Sequence, residues 1–352
     1  MTNEAAARTR ARARASDDVA WPEALAAWVE RLPMPAWLFY ALLGTVGVAY
    51  TVVISTSLGQ PYTLLEVIAG VYTGYILGGR HYLTNAARHA ARRFRPLLAV
   101  DDAQFAEIER RLTTTSAREG WVGTVLGAGA GIATAYLVYV LLPDALPRIG
   151  WTRDQYLIEW VPLLAIAYAL GVLFLRRTYR QLRVIQELHA SAPEIDPLRA
   201  GPVSAFSTLT MRISLVLFIP LYGQLIGSLE LASSTPLALL PIVIGNVIAV
   251  LIFVVPLLGL HSRLEASRSA QLDLVGKRLQ TVVAELSDRI ERGDLGDAAP
   301  LQQAIMSLVA ARDTLLRVQT WPWRPGTFNT FLSVIGAPIV IYILTRVLAR
   351  FV

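Results

Sequence analysis

The sequence predicts an all-α polytopic membrane protein with seven transmembrane helices, N-terminus in the cytoplasm and C-terminus outside, and a cytoplasmic anchor built from helix extensions. Three observations predict it. First, seven apolar segments, at approximately 35–57, 61–82, 121–143, 156–176, 205–229, 236–259 and 328–349, are each long enough to cross a bilayer. A helix rises about 1.5 Å per residue, so about 20 apolar residues cover about 30 Å of hydrocarbon. Second, alternating from a cytoplasmic N-terminus places 28 of the 32 Lys and Arg inside, leaving only Arg148, Arg153, Arg346 and Arg350 outside. Cytoplasmic loops retain cations, which sets this orientation. Third, a long stretch between crossings 6 and 7 keeps helical spacing although it is too polar to enter lipid.

Composition agrees with the class: 54% of residues are hydrophobic and 16% charged. The formal charge of +6 is spread along cytoplasmic helix ends, as membrane-flanking charge is, and predicts no nucleic-acid partner. With no cysteine, disulfides, thiolate catalysis and Cys-based metal sites are excluded.

Residues 1–18 read as a disordered Arg/Ala-rich tail, and the first 20 residues lack the apolar core of a cleavable signal peptide. Residues 19–259 hold crossings 1–6 with their cytoplasmic helical loops. They open on a short interfacial helix at 19–33, with Trp21 and Trp28 at headgroup depth. Crossing 2 carries Gly70, Gly74 and Gly78, and crossing 3 carries Gly123, Gly127 and Gly131. Glycines four apart line one face and let two backbones approach, within one subunit or between two. Pro162, Pro220, Pro241, Pro256 and Pro338 predict kinks in crossings 4 to 7.

Residues 260–319 predict an antiparallel helical hairpin. Leu272, Val275, Leu279, Val282, Leu286 and Ile290 recur at three- and four-residue steps, Gly293, Gly296 and Pro300 supply the turn, and Leu301, Ile305, Leu308 and Leu315 resume the spacing. Such apolar stripes need burial, which predicts a homo-oligomer, with intrasubunit packing as the alternative. Residues 320–352 comprise an interfacial loop and crossing 7.

Chemistry is sparse. No crossing holds a lysine, so a retinal Schiff base is impossible. HExxH, GxSxG and P-loop motifs are absent, and the four histidines, His81, His89, His189 and His261, do not form a metal site. Neither an enzyme nor a cofactor is expected. Polar groups inside the membrane carry more information, because they are costly there. Glu66 and Glu159 lie about one turn inside the outer ends of crossings 2 and 4, Glu230 caps crossing 5, and Gln224 is deeper. With Tyr72, Tyr136, Tyr139, Trp160 and Tyr222 they admit two readings. One is an outward-facing ligand pocket of aromatics and carboxylates. The other is an interfacial aromatic belt whose carboxylates snorkel to water. Crossing 7 likewise lines a pore or faces lipid. As a pore helix it contributes Ser333, Val334, Gly336, Pro338, Ile341 and Leu344, with Arg346 as a cationic ring at the outer mouth.

The layout resembles the insect odorant and gustatory receptors and the wider seven-helix ion-channel superfamily that contains them. The resemblance rests on seven N-in, C-out crossings, long cytoplasmic helix extensions and the helical excursion between crossings 6 and 7. The insect Thr-Tyr…Gln-Phe pattern near the last helix is absent, with Thr327-Phe328 a loose echo. The resemblance implies tetramers, a pore lined by the last helix, a cytoplasmic anchor and a ligand pocket open to the outside. The function expected is therefore an oligomeric ion channel of the plasma membrane, gated or not by a small-molecule ligand. The alternatives are a secondary transporter and a non-transporting scaffold or sensor acting through the hairpin. G-protein-coupled receptors have the opposite orientation and are excluded.

Overall fold

The computed structural model describes residues 19–60, 62–98, 100–141, 152–191, 200–227, 240–293, 298–318 and 320–321, with the single positions 329, 333 and 336. Its helices are α1 (Trp21–Val29), α2 (Ala36–Ser57), α3 (Leu64–Phe94), α4 (Asp102–Thr113) and α5 (Ala117–Leu141). Helix α6 is composite: a turn at Arg153–Gln155, a π-helical turn at Tyr156–Trp160, then Val161–Ser191. The last three are α7 (Ala200–Gly227), α8 (Leu240–Glu291) and α9 (Ala298–Arg317). Among the described residues the sole β pairing is an isolated bridge from Val19 to Ser116.

Among the described residues five helices are long and apolar enough to cross a membrane: Ala36–Ser57, Ala117–Val140, Arg153–Leu188, Phe206–Gly227 and Val243–Glu291. Helix α3, which contains the predicted second crossing, is not among them, and its position explains why. It packs against α2, α6 and α7 at the centre of the bundle. A helix surrounded by protein has little lipid to satisfy, so Glu66, Tyr75 and a run of glycines are tolerated there. The predicted seventh crossing lies outside the described residues apart from Asn329, Ser333 and Gly336.

Two glycine seams hold the bundle together, both within one subunit. A Cβ on Gly47 of α2 would lie 2.1 Å from the Gly70 carbonyl oxygen of α3, and one on Gly74 would lie 2.3 Å from the Tyr40 carbonyl oxygen. Between α5 and α6, a Cβ on Gly127 would lie 2.5 Å from Ala169 Cα, and one on Gly131 2.4 Å from the Leu164 carbonyl oxygen. No side chain fits at these points, so the backbones touch. Helix α7 closes the other side of α3, where the Tyr75 hydroxyl donates to the Val216 carbonyl at 3.1 Å. Against α8, the Ser214 hydroxyl donates to the Ala249 carbonyl at 3.0 Å.

The core thickens toward the C-terminal ends of α3 and α6, where Phe94, Ile185, Phe206, Leu209 and Ile213 are fully buried. Helix α4 covers it with Phe105 and Leu112. Helix α8 runs 52 residues without a break, roughly 78 Å at 1.5 Å per residue, and α9 returns along it. The Arg268 guanidinium donates to the Val318 carbonyl at the base of that pair. Away from the base, Leu274, Val283, Ile290, Met306 and Val309 remain exposed.

Candidate functional site

Three helix ends converge on one buried polar cluster. The C-terminus of α2 is a Schellman turn: Gly59 has φ +70°, the Gln60 amide donates to the Ser55 carbonyl at 2.9 Å and the Gly59 amide to the Thr56 carbonyl at 3.0 Å. Glycine takes this left-handed conformation without steric cost. The turn fixes Ser55 in the last turn of α2. The N-terminus of α3 is a capping box, in which Thr63 accepts from the Glu66 amide at 3.4 Å. The Glu66 carboxylate accepts from the Thr63 amide in return. The N-terminus of α6 is capped by Thr152, whose hydroxyl accepts from the Gln155 amide at 3.2 Å. The π turn at Tyr156–Trp160 follows immediately and carries Glu159. Single π turns inside α-helices are frequent at functional sites.

Gln155 joins the three ends. Its Nε2 donates to Glu66 Oε1 at 2.9 Å, to Glu159 Oε2 at 3.3 Å and to Ser55 Oγ at 3.4 Å. Ser55 Oγ donates to Glu159 Oε2 at 3.2 Å. Ser55, Glu66, Gln155 and Glu159 are each 0% exposed. Two buried acceptors have no partner, Glu159 Oε1 and Gln155 Oε1. The Tyr50 hydroxyl donates to the Ile158 carbonyl at 2.7 Å and ties α2 to the π turn.

The electrostatics of this cluster do not balance. Two carboxylates are enclosed, and among the described residues no Arg, Lys or His forms an ion pair with either. Arg153 instead lies over the Tyr139 ring, 5.6 Å from its centroid. The N-termini of α3 and α6 supply at most about half a positive charge each, and the effect fades beyond the first turn. Roughly one full negative charge is left over. In a low-dielectric interior such a charge is very costly unless a cation or proton accompanies it. Only two carboxylates are present, and among the described residues no group of three or more His, Cys, Asp and Glu is gathered as a metal site. Two carboxylates, a hydroxyl and an amide oxygen form a hard oxygen donor set. That set suits a proton or an alkali cation.

Of the predicted pocket residues, Glu66 and Glu159 meet here. Trp160 is buried beside them in a small apolar cluster with Tyr156 and Ala135, and Tyr139 packs against it. Tyr139 and Tyr156 stack with centroids 6.5 Å apart. The other pocket residues are dispersed. Tyr136 is 68% exposed on the outer face of α5, Tyr72 packs against the main core, and Tyr222 stacks on Phe218 at 5.6 Å. Gln224 is exposed on α7. Glu230 and, of the predicted pore residues, Val334, Pro338, Ile341, Leu344 and Arg346 lie outside the described residues. Ser333 and Gly336 are helical. Sequence reasoning missed Ser55 and Gln155. Gln155 sits four residues before Glu159, a spacing that shares one helix face, and this was the one available signal.

Comparison with protein-family models, curated proteins and solved structures finds no match, so the chemistry of the site rests on its own geometry.

Proposed function

We propose that the protein is an oligomeric plasma-membrane protein that moves small cations, with the Ser55–Glu66–Gln155–Glu159 cluster as the point where the ion is bound. The five apolar helices, with α3 as a protein-lined sixth and 328–349 as the last, make the seven crossings, N-in and C-out. The observation that carries the reading is the enclosed carboxylate pair, which has no cationic side chain paired with it among the described residues, together with the unpartnered oxygens Glu159 Oε1 and Gln155 Oε1. Carboxylates buried in membrane helices without partners mark ion pathways far more often than they mark structure. A channel whose last helix lines the pore remains the arrangement suggested by the layout; a cation-coupled carrier uses the same site without a central pore. An Arg346 ring at the pore mouth would favour anions, so reversal potential separates it from a path governed by Glu66 and Glu159.

The exposed apolar residues of α8 and α9 favour a second element of the proposal, assembly of several copies through this hairpin. They also support the scaffold reading should no transport be found. The deciding experiment is reconstitution of the full chain in liposomes with imposed sodium and proton gradients. Wild type is expected to dissipate one of them, and Glu159→Gln to slow that flux at least tenfold. Absence of cation flux from wild type, or equal flux from Glu159→Gln, removes the cation reading.

A further inference from the structure

A second enclosed polar cluster has the opposite charge. It lies where α1, α3, α4, α5 and α6 meet, 14 residues further along α3 from Glu66 and 18 further along α6 from Glu159. At 1.5 Å per residue these are roughly 21 and 27 Å along the helix axes. Glu23, in the first turn of α1, receives Arg80 Nη2 at 2.7 Å, Arg177 Nη1 at 3.4 Å and the Thr115 hydroxyl at 3.2 Å, all on Oε1. Arg177 Nη2 donates to Thr84 Oγ1 at 2.6 Å and to the Thr113 carbonyl at 3.2 Å. Both arginines are more than nine-tenths buried. Three guanidinium donors have no acceptor: Arg80 Nε, Arg80 Nη1 and Arg177 Nε; Glu23 Oε2 is also unpartnered.

The charges leave a positive excess. Two guanidiniums face one carboxylate. The carbonyl end of α4, reached through Thr113, offsets about half a charge, and the N-termini of α1 and α5, which come together at the Ala20 to Thr115 hydrogen bond, add a similar amount back. Arg88 and Arg180 stand near enough to act on Arg177, but each is occupied, Arg88 by Glu109 at 3.3 Å and Arg180 by Glu119 at 2.5 Å. Those outer pairs add no acceptor to the enclosed donors. A buried guanidinium donor left without an acceptor costs its full desolvation penalty.

We infer that Arg80 and Arg177, held by Glu23, bind one small monovalent anion of the halide class at this end of the bundle. The donors belong to two helices and are buried, which favours a small monoatomic ion over a lipid phosphate with its acyl chains. Bound there, the anion joins α3 to α6 beside Glu23. The inference is independent of the cation site, because it rests on different residues and the opposite charge.

The test is thermal unfolding of the purified full chain while sodium chloride replaces sodium gluconate at constant sodium and constant ionic strength. Constant sodium keeps the cation site unchanged. Wild type is expected to show a saturable rise in unfolding temperature, on the order of 5 °C at saturation, reproduced by bromide. Arg80→Lys keeps the charge but removes Nε and Nη1, two of the three unpartnered donors, and is expected to raise the chloride midpoint about tenfold. Glu159→Gln should leave the midpoint unchanged. Stability that ignores anion identity, or an Arg80→Lys midpoint equal to wild type, means that water alone fills the donors and overturns the inference. Should Arg80→Lys fail to fold, anomalous scattering from wild-type crystals grown in bromide decides the same question: a peak between Arg80 and Arg177 supports the site, and its absence overturns it.

Discussion

The two ends of the bundle solve the same problem in opposite ways. At one, Glu66 and Glu159 share a single neutral amide, Gln155, and have no cationic partner among the described residues. At the other, Glu23 is shared by Arg80 and Arg177, so each charge has an opposite charge beside it and only the ratio is uneven. In the proposed reading an ion completes the first cluster; the second is a structural junction with one charge to spare. The helix ends follow the same division. N-termini meet at Glu66 and Glu159, whereas the C-terminus of α4 meets Arg177. Backbone dipoles therefore soften the first imbalance without cancelling it, whereas at the second the N-termini of α1 and α5 counter the C-terminus of α4.

That difference gives the largest expected effect. Glu23→Leu removes the one carboxylate between two buried guanidiniums, and breaking a buried pair in this way costs about 3–5 kcal/mol. A large drop in unfolding temperature and loss of the α1 attachment are expected, the latter visible as new proteolytic sensitivity near residue 30. The matching change at the other end, Glu66→Gln, removes a charge that has no cationic partner and keeps an oxygen for the Thr63 amide. It is expected to be neutral or stabilising by about 1 kcal/mol at low sodium. Equal losses from both substitutions would show that the ends do not differ in charge balance and would remove the basis of both ion sites.

Helix packing supplies an intermediate effect within a single helix. Gly127 and Gly129 of α5 are two residues apart and face opposite ways. A Cβ at Gly127 meets Ala169 Cα at 2.5 Å, whereas nothing lies within 4 Å of one at Gly129. Gly127→Leu is expected to cost about 1–3 kcal/mol through overpacking. Gly129→Ala should gain up to about 1 kcal/mol through helix propensity. Unfolding in dodecylmaltoside with a denaturant series separates the two. If both behave alike, α5 does not pack on α6 through this seam, and the position of Glu159 beneath it must be reconsidered.

Much of this was legible from spacing and charge. The all-helical membrane class, the glycine spacings and the matched depth of Glu66 and Glu159 follow from periodicity and from the cost of polar groups in lipid. What was not legible depends on local geometry that spacing does not encode. Gln155 falls one residue before the predicted start of crossing 4 and reads as a loop amide until the π turn carries it inward. Ser55 reads as a small polar residue at a helix end until the Gly59 turn fixes it. Tyr136 reads as pocket-lining by proximity to Tyr139, but it sits one residue past the buried Ala135 and lies on the exposed side of α5. Arg80 and Arg177 count toward the inside charge like any flanking cation, and their burial follows only from α1 folding back over them. Helix α3 illustrates the same limit: its polarity is explained by neighbours on three sides, which no hydropathy window contains.

The smallest effect probes how the carboxylate pair is held. Ser55→Ala removes one donor from Glu159 Oε2, which keeps Gln155 Nε2 at 3.3 Å. Hydrogen bonds between membrane helices average about 0.6 kcal/mol, so stability should fall by less than about 1 kcal/mol. The effect on ion binding should be more specific, because the hydroxyl is also one of the oxygens available to a cation. Sodium dependence of unfolding is expected to weaken by a few-fold in midpoint with its saturation value intact, whereas Glu159→Gln abolishes the dependence. Lithium or proton dependence that persists when sodium dependence is absent would identify the occupant as the smaller ion. A Ser55→Ala protein with the wild-type midpoint would show that the hydroxyl only orients Glu159, leaving the ion to the two carboxylates and the Gln155 oxygen.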